Sequence, residues 1–261
     1  MTGVRCLGTL LAAPFGLGNQ SNSMNATAIA FQDRPARFPT SQVGGAAVKP
    51  ITQALLDRRA TQHFQTDPVP PDYLEAILRF GAQAPSGYNI QPWRFIVVRD
   101  AENRKRLQKA AMNQAKVAEA PVVIVAFAIK DEWKHYIDRV FEEGARRGMG
   151  KPEQMTEAKK AAAGFLDTIP AAVWLNRHTM IAVTTMMLVA EAYGLDTAPM
   201  EGFDPEAVKR EFGLPEESEV IALLAIGKAK MPDKPYAGRF ALEDVVFDER
   251  YGRPWAEAEG A

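Results

Sequence analysis

The chain has 261 residues, of which 47% are hydrophobic, so it can bury one large core in a single globular domain. Its 31 Lys and Arg residues nearly balance its 32 Asp and Glu residues, which leaves no overall field to hold nucleic acid or an anionic membrane surface. The single cysteine, Cys6, excludes an internal disulfide, and together with three scattered histidines it provides no metal-ligand set.

Residues 1–47 differ in composition from the rest of the chain and predict a flexible leader before a folded domain at 48–261. A charged start, an apolar stretch over 6–18 and small residues over 26–30 are typical of a secretory signal peptide. The alternative is an upstream start codon, with Met24 as the natural start. Both interpretations remain open, and we expect a cytoplasmic protein.

Two helices and a polar loop come first in the predicted domain. Apolar residues at helical spacing over 51–56 predict a helix that ends at Arg58 and Arg59, and Pro70 opens a second helix. The loop 84–93 then combines two prolines, a glycine and small polar side chains. Its backbone N–H groups, hydroxyl and carboxamides suit a flat polar ligand, and the nearby guanidinium groups suit an anionic tail.

The middle of the chain predicts strands separated by helices. Runs rich in β-branched and apolar residues predict strands at 94–99, 121–129 and 219–227. The run 121–129 is apolar at nearly every position, so we expect a central strand that is covered on both faces. A helix is predicted over 102–120, and two charged helices over 131–168.

A long apolar helix is predicted over 171–193, either in the core or at a subunit interface, and we expect both. Arg177 and His178 precede too short an apolar stretch for a membrane span. A second loop is predicted over 197–203, after which Asp204 caps a short helix. Interleaved helices and strands indicate an α+β, three-layer arrangement.

Five motifs in chain order resemble those of the nitroreductase family of FMN-dependent oxidoreductases. They are Arg58-Arg59 with Phe64, the loop 84–93, the methionine-rich helix, the segment 199–203, and Arg239 before a short predicted strand. The resemblance spans about 51–246. It implies a three-layer α+β fold with a central mixed or antiparallel sheet, and an intertwined homodimer that binds FMN at the subunit interface.

The same resemblance implies an activity. Hydride would pass from NADH or NADPH through flavin N5 to a small electron-poor acceptor, nitroaromatic or quinone-like, in ping-pong order. FMN would carry the hydride, so no catalytic side chain is assigned. Two alternatives remain: other chemistry on the same scaffold, such as reductive dehalogenation, azoline oxidation (a dehydrogenation) or flavin fragmentation, and a flavin-binding module without turnover.

Cofactor-binding roles pass to the residues that match the family motifs. Arg58 and Arg239 would contact the FMN phosphate, and Arg59 would help to hold the phosphate or the ribityl chain. The segment 85–87 would lie along the flavin ring from the other subunit, with Asn89 close to the ring and the ribityl side, and the turn 199–202 would direct a backbone N–H at N5. A charge-assisted hydrogen bond to phosphate contributes about 1.5–3 kcal/mol. The residues are Arg58, Arg59, Ala60, Gln62, Pro85, Ser86, Gly87, Asn89, Pro199, Met200, Glu201, Gly202 and Arg239.

The sequence departs from the family pattern at three positions, two of them in this set. Ala60 stands where relatives often have serine, Gln62 where they have a basic residue near flavin N1 and O2, and Ala237 where some have lysine. Gln62 supplies no positive charge, so we expect the flavin potential to be lower than in relatives that have lysine or arginine at this position. Acceptor choice is predicted to lie with a cover around Trp133, His135, Tyr136 and Phe141, while the three histidines (His63, His135 and His178) are expected to be structural or exposed.

Overall fold

The computed structural model describes residues 42–43, 46–230 and 235–255. Most of the leader predicted over 1–47 lies outside these residues, as do the signal-peptide and start-codon interpretations. In the described part of that segment, Gln42–Val43 (β1) pairs with Ala46–Ala47 (β2) in antiparallel orientation.

Helices and strands alternate along the rest of the described chain. The α-helices of the described residues are α1 (Ile51–Asp57), α2 (Pro71–Gly81), α3 (Ala101–Ala110), α4 (Ala115–Glu119), α5 (Ile137–Arg146), α6 (Pro152–Leu166), α7 (Ala171–Ala192), α8 (Pro205–Phe212) and α9 (Leu242–Val245). The strands that follow β2 are β3 (Trp93–Val98), β4 (Val122–Ile129), β5 (Asp196–Met200) and β6 (Ser218–Gly227).

These strands form an antiparallel four-stranded sheet in the order β3-β4-β6-β5. Strand β4 is therefore internal, and its residues 122–128 are buried, which confirms the predicted central strand. One hydrophobic cluster lies between one sheet face and α2 and α7, and a second lies between the other face and α3, α4 and α8. The α+β, three-layer prediction is confirmed, and neither cluster includes a residue of α5 or α6.

The predicted helix over 102–120 is wrong, because it is divided into α3 and α4. Met112 and Asn113 lie between them with left-handed φ angles of 53° and 56°. Such angles are uncommon for residues other than glycine and end a helix. Tertiary hydrogen bonds hold the break: Asp204 N–H donates to the carbonyl of Ala110, and Gln114 Nε2 donates to that of Gly202, both at 2.8 Å.

The predicted loop over 197–203 is also wrong in its first half, which belongs to strand β5. Within the four-stranded sheet β5 pairs with β6 alone and is an edge strand, where Pro199 stands opposite Leu224. An edge strand tolerates proline because its outer side has no strand to receive an N–H. The short strand expected after Arg239 is likewise replaced by a helix, α9, with a hydrogen bond from Val246 N–H to the carbonyl of Leu242.

Helix α7 crosses the sheet and α2 at close range. Met186 is fully buried at the place where it faces Gly81 of α2. A Cβ atom on Gly81 would lie 2.4 Å from Met186 Cγ, so the two helices can approach this closely because residue 81 is glycine. Other apolar residues of α7 are not covered: Val173 is 42% exposed and Ile181 is 39% exposed.

Candidate functional site

The segment after α1 runs beside the edge strand β5. The N–H of Thr61 donates a 3.0 Å hydrogen bond to the carbonyl oxygen of Thr197, and Ala60 forms a parallel bridge with the same residue. Both threonines are buried, which fixes this contact. The arginine segment and the strand that leads into 199–202 are far apart in the sequence but are neighbours in the fold.

Arg59 closes the end of α1 with its own side chain. Its Nη1 lies 2.7 Å from the carbonyl oxygen of Leu56 and 3.0 Å from those of Asp57 and Arg58. A cation at these carbonyls also complements the helix dipole. The Asp57 carboxylate is held elsewhere, because hydrogen bonds from Lys49 and Gln53 engage both oxygens and lower the pKa of Asp57.

Arg239 and Arg59 both contact the ring of Tyr236. The guanidinium carbon of Arg59 lies 4.9 Å from the ring centroid, and that of Arg239 lies 5.4 Å from it. Both predicted phosphate-binding side chains therefore share one aromatic ring. Arg58 is the third arginine predicted to bind the cofactor. It is half-buried at the end of α1, where its backbone N–H donates to the carbonyl of Ala54.

The turn after β5 is fixed at three points. Phe203 N–H donates to the carbonyl of Glu201 at 3.0 Å, and the bonds from Gln114 and Asp204 already described connect the turn to the break between α3 and α4. Met200 is buried, whereas Glu201 is exposed. The backbone at 201–202 is thus held rigidly, with one side open to solvent.

The loop that contains Pro85 to Asn89 is built from left-handed backbone and internal hydrogen bonds. Tyr88, Asn89 and Gln91 have φ angles of 55°, 57° and 51°. The N–H of Gln91 donates to Ser86 Oγ at 2.9 Å, and Gln91 Nε2 lies 3.2 Å from both Asn89 O and Asn89 Oδ1. Gln91 therefore holds the loop through its contacts with Ser86 and Asn89.

This loop lies directly against α7. A Cβ atom on Gly87 would lie 3.3 Å from His178 Nε2 and 3.5 Å from Trp174 Nε1. The rings of Trp174 and His178 are tilted at 39° to each other with centroids 4.3 Å apart, and His178 Nδ1 lies 2.8 Å from the carbonyl oxygen of Trp174. Because a carbonyl only accepts, Nδ1 is the protonated nitrogen in the neutral ring, and Nε2 faces the loop.

Tyr88 and Asn89 form one wall of an apolar cleft of about 350 Å³. The opposite wall comes from α5, α6 and the turn between them; its residues are Val140, Phe141, Glu143, Gly144, Arg147, Met149, Met155 and Ala158. Hydrogen bonds from Arg146 and Arg147 lower the pKa of Glu143 to about 2. Among the lining residues, Glu143 and Arg147 are charged and carry opposite charges, while Arg146 pairs with the same carboxylate from outside the lining. The cleft, whose other lining residues are mostly apolar, suits an uncharged molecule.

Arg94 connects the loop to the segment that precedes α5. Its Nη1 lies 2.8 Å from the carbonyl oxygen of Trp93 and 3.3 Å from that of Gln91, and its Nη2 lies 2.7 Å from Glu132 Oε2. The guanidinium also lies over the ring of Tyr136, at 5.6 Å. Burial raises the pKa of Tyr136 to about 12, and burial also raises that of Glu132 although Arg94 opposes it.

The described contacts sort the predicted site residues into two groups. One contains the arginine segment with Ala60, the turn 199–202 and Arg239; Gln62 belongs here and folds back so that its Nε2 lies 3.0 Å from Ala60 O. The other contains the loop 85–89 with α7 and the cleft. Of the predicted cover residues, Phe141 lines the cleft, Trp133 and Tyr136 are buried, and His135 is exposed.

Three residues at the site were missed by the sequence reasoning: Gln114, Tyr236 and Arg94. Each acts through a partner distant in sequence, such as Gly202 for Gln114, and stands in no motif that would reveal it. The signal for Tyr236 is its position three residues before Arg239, but its contact with Arg59 becomes visible only in the fold.

Comparison with known proteins gives consistent similarities. The family model described as "Nitroreductase family" matches residues 55–228. A Thermus thermophilus protein named NADH dehydrogenase is 38% identical over 193 residues, covering 74% of this chain and 93% of its own. The oxygen-insensitive NAD(P)H nitroreductase of Enterobacter cloacae is 29% identical over 199 residues, covering 70% of this chain and 90% of its own.

A solved structure from Exiguobacterium sibiricum, of a protein assigned as a nitroreductase in complex with FMN, has a similar fold. Its TM-score is 0.68 at 25% identity, over 79% of this chain and 99% of that one. The family match runs from α1 to the end of the sheet and contains every predicted site residue except Arg239. In the part of the chain that the structure describes, no helix combines the length and the apolar character that crossing a bilayer requires.

Proposed function

Because the chain belongs to the nitroreductase family, we propose that two copies of it share FMN sites and pass hydride from NADH or NADPH to an uncharged, electron-poor acceptor. The chain is an FMN-dependent oxidoreductase of this family. The observation that carries the finer proposal is the convergence of Arg59 and Arg239 on Tyr236, with Arg59 on a segment that pairs with the strand leading into the fixed turn at 200–204.

The first group of residues fits FMN at both of its ends. The paired guanidinium groups provide the bidentate donors that a phosphate dianion favours. The turn at 201–202 offers backbone N–H groups on a rigid segment, and such a donor orients an atom that gains or loses a hydride. Bound FMN supplies the hydride-carrying ring, and the chain supplies binding, orientation and electrostatics.

A second copy of the chain would complete each site. The loop 85–89 and the arginines belong to separate groups in one chain, and large apolar side chains remain exposed on the elements around them. They include Leu55 and Leu56 of α1, Val173 and Ile181 of α7, and Phe240, Tyr251 and Trp255 near the carboxyl end, with exposures between 39% and 92%. Apolar surface of this extent is typical of an interface, and a two-fold axis would bring the loop of one copy to the arginines of the other.

The cleft beside Tyr88 and Asn89 is the proposed acceptor site. Its lining is mostly apolar, with polar groups on Tyr88 and Asn89 and one ion pair, Glu143–Arg147. A nitroaromatic or quinone-like molecule without charge would enter it without leaving a buried ion unpaired. Nicotinamide and acceptor would use the same flavin face in turn, which is ping-pong order.

Anaerobic titration tests the activity. NADH or NADPH should bleach the yellow absorbance of the FMN-loaded protein, and 1,4-naphthoquinone should restore it. No bleaching by either nicotinamide would mean a flavin-binding module without turnover and would overturn the proposal.

The acceptor site is tested with a pair of molecules that differ in charge. We expect 1,4-naphthoquinone to be reduced with a kcat/KM at least about tenfold above that of its 2-sulfonate, because the sulfonate would have to lose its hydration in an apolar cleft. Equal values, or a preference for the sulfonate, would remove the cleft from the proposal while leaving the flavin chemistry intact.

A further inference from the structure

Tyr236 contacts two cations that the proposed function assigns to one phosphate. The guanidinium carbons of Arg59 and Arg239 are 4.9 and 5.4 Å from its ring centroid. Because both distances are measured to the same point, the two carbons lie within about 10 Å of each other. The ring itself is 56% exposed, so it is a contact surface for the arginines and not part of the core.

The two arginines differ in how firmly the backbone holds them. Arg59 follows a helix and is tied to three carbonyl oxygens at its end. Arg239 lies on the segment 235–241, which is neither helix nor strand, and its Nη1 is bound to the carbonyl of the adjacent Gly238. Gly238 has a φ of 84°, a conformation that gives the segment a sharp local bend. The ring contact is therefore what relates Arg239 to the firmly held Arg59.

The electrostatics of the cluster require such a contact. Two guanidinium groups repel each other before an anion arrives, and an aromatic ring face attracts each of them. The position two residues before Arg239 is Ala237, which adds no charge to the cluster. The neutral ring can thus hold both guanidinium groups near one point without adding a third positive charge.

We propose that Tyr236 is a positioning residue that holds Arg59 and Arg239 as a preformed clamp for the terminal phosphate of FMN. The inference rests on the proposed function, and it adds a reason why this chain would select phosphorylated flavin over riboflavin. Tyr236 acts on the phosphate through the two arginines, so its loss should change the affinity for FMN and leave that for riboflavin unchanged.

The test compares two flavins that differ only in the phosphate. Apo protein is titrated with FMN and with riboflavin, following the quenching of flavin fluorescence. Tyr236→Leu should raise the Kd for FMN about tenfold, as expected for two exposed cation–π contacts, and leave the Kd for riboflavin within about twofold. Tyr236→Phe keeps the ring face and should retain most of the preference for FMN. Tyr251→Leu is the matched control, because Tyr251 is 92% exposed and contacts Phe247.

The possible results separate this inference from the proposed function. If Tyr236→Leu weakens both flavins equally, or neither, while the wild-type protein binds FMN, Tyr236 is not a phosphate-positioning residue. If Tyr236→Phe loses as much preference as Tyr236→Leu, the ring face is not the cause and the inference fails. A wild-type protein that binds neither flavin would overturn the proposed function and this inference with it.

Discussion

The side-chain amide of Gln114 donates a 2.8 Å hydrogen bond to the carbonyl oxygen of Gly202. Through this bond the left-handed break between α3 and α4 supports the turn that follows the edge strand. The turn is the segment whose backbone N–H is proposed to face flavin N5, so Gln114 supports the geometry of that proposed contact.

Replacing Gln114 should loosen this turn. Gln114→Ala removes the donor to Gly202, and we expect the free energy of unfolding to fall by about 1 kcal/mol, the usual net contribution of such a bond. The rate at which NADH bleaches the flavin should also fall, because the hydride-accepting atom is less well oriented. Urea denaturation and stopped-flow absorbance measure the two effects. Gln114→Glu is the matched variant: its carboxylate has the same length but cannot donate and would face the carbonyl oxygen of Gly202 as a second acceptor, so the loss of stability should be at least as large as in the alanine variant. If both variants had the wild-type free energy of unfolding and the wild-type bleaching rate, Gln114 would not support the turn.

Gly81 should tolerate no larger side chain. Gly81→Ala would place Cβ 2.4 Å from Cγ of the buried Met186, and overpacking of this kind typically costs about 1–3 kcal/mol. Gly164→Ala in α6 is the control, because no heavy atom lies within 4 Å of its added Cβ. That change should stabilise the protein by about 0.5–1 kcal/mol through helix propensity. Equal urea midpoints for the two variants would show that α2 and α7 can separate at no cost.

A positive charge at residue 62 should raise the flavin midpoint potential. Gln62 bears no charge, and its side-chain Nε2 donates a 3.0 Å hydrogen bond to the carbonyl oxygen of Ala60. In Gln62→Arg, the cation would stabilise the negative charge that reduced FMN carries near N1 and O2, by an amount on the order of 30 mV. Spectroelectrochemical titration measures the shift. Gln62→Leu removes the donor without adding charge and should not raise the potential; an unchanged or lower value in Gln62→Arg would disprove the expectation.

Asn89 should contribute to FMN binding through its side chain. Its φ of 57° makes alanine a strained replacement, so the loss of the carboxamide must be separated from the backbone effect. Asn89→Ala and Asn89→Gly both remove the carboxamide, whereas glycine accepts the left-handed angle. We expect both to weaken FMN about tenfold with the fold intact by circular dichroism. Loss of FMN in the alanine variant alone would assign the effect to the backbone.

Tyr136 should make the protein sensitive to alkali. Its pKa is raised from 10.0 to about 12, so the folded state binds the phenol proton more tightly than the unfolded state. The resulting stability is fully present below pH 10 and is lost between about pH 10 and 12, at up to about 1.4 kcal/mol per pH unit. Tyr136→Phe lacks this group, and its free energy of unfolding should fall less steeply over that range. Parallel slopes for the two proteins in urea denaturation at pH 8 to 11 would contradict the buried phenol.

The pattern of apolar and capping residues predicted the helices and strands whose structure depends on residues close in the sequence. The continuous apolar run at 121–129 indicated a strand covered on both faces, and Asp204 caps α8 with hydrogen bonds from Glu206 and Ala207 N–H. The break at 111–114 was hidden, because the bonds that hold it come from the turn after β5. Pro199 was interpreted as a loop residue since its place at the sheet edge is a property of the topology.

The candidate site shows the same division. Family motifs supplied its arginines, its loop and its turn, since each is a short run of residues. Gln114 and Tyr236 contact partners far away in the chain, and no sequence spacing relates them to Gly202 or Arg59. Side chains that support a site from a distance become visible when the fold brings them together.

Helices α5 and α6 form one wall of the cleft, yet neither of the two hydrophobic clusters that flank the sheet includes their residues. Exposed positions of this wall, such as Met149, can therefore change without altering the packing of the sheet, whereas Val140 and Phe141 are buried in the wall itself. The wall can diverge while the flavin-binding scaffold stays constant. A lineage of such chains would gain new acceptors by drift in the region between β4 and α7.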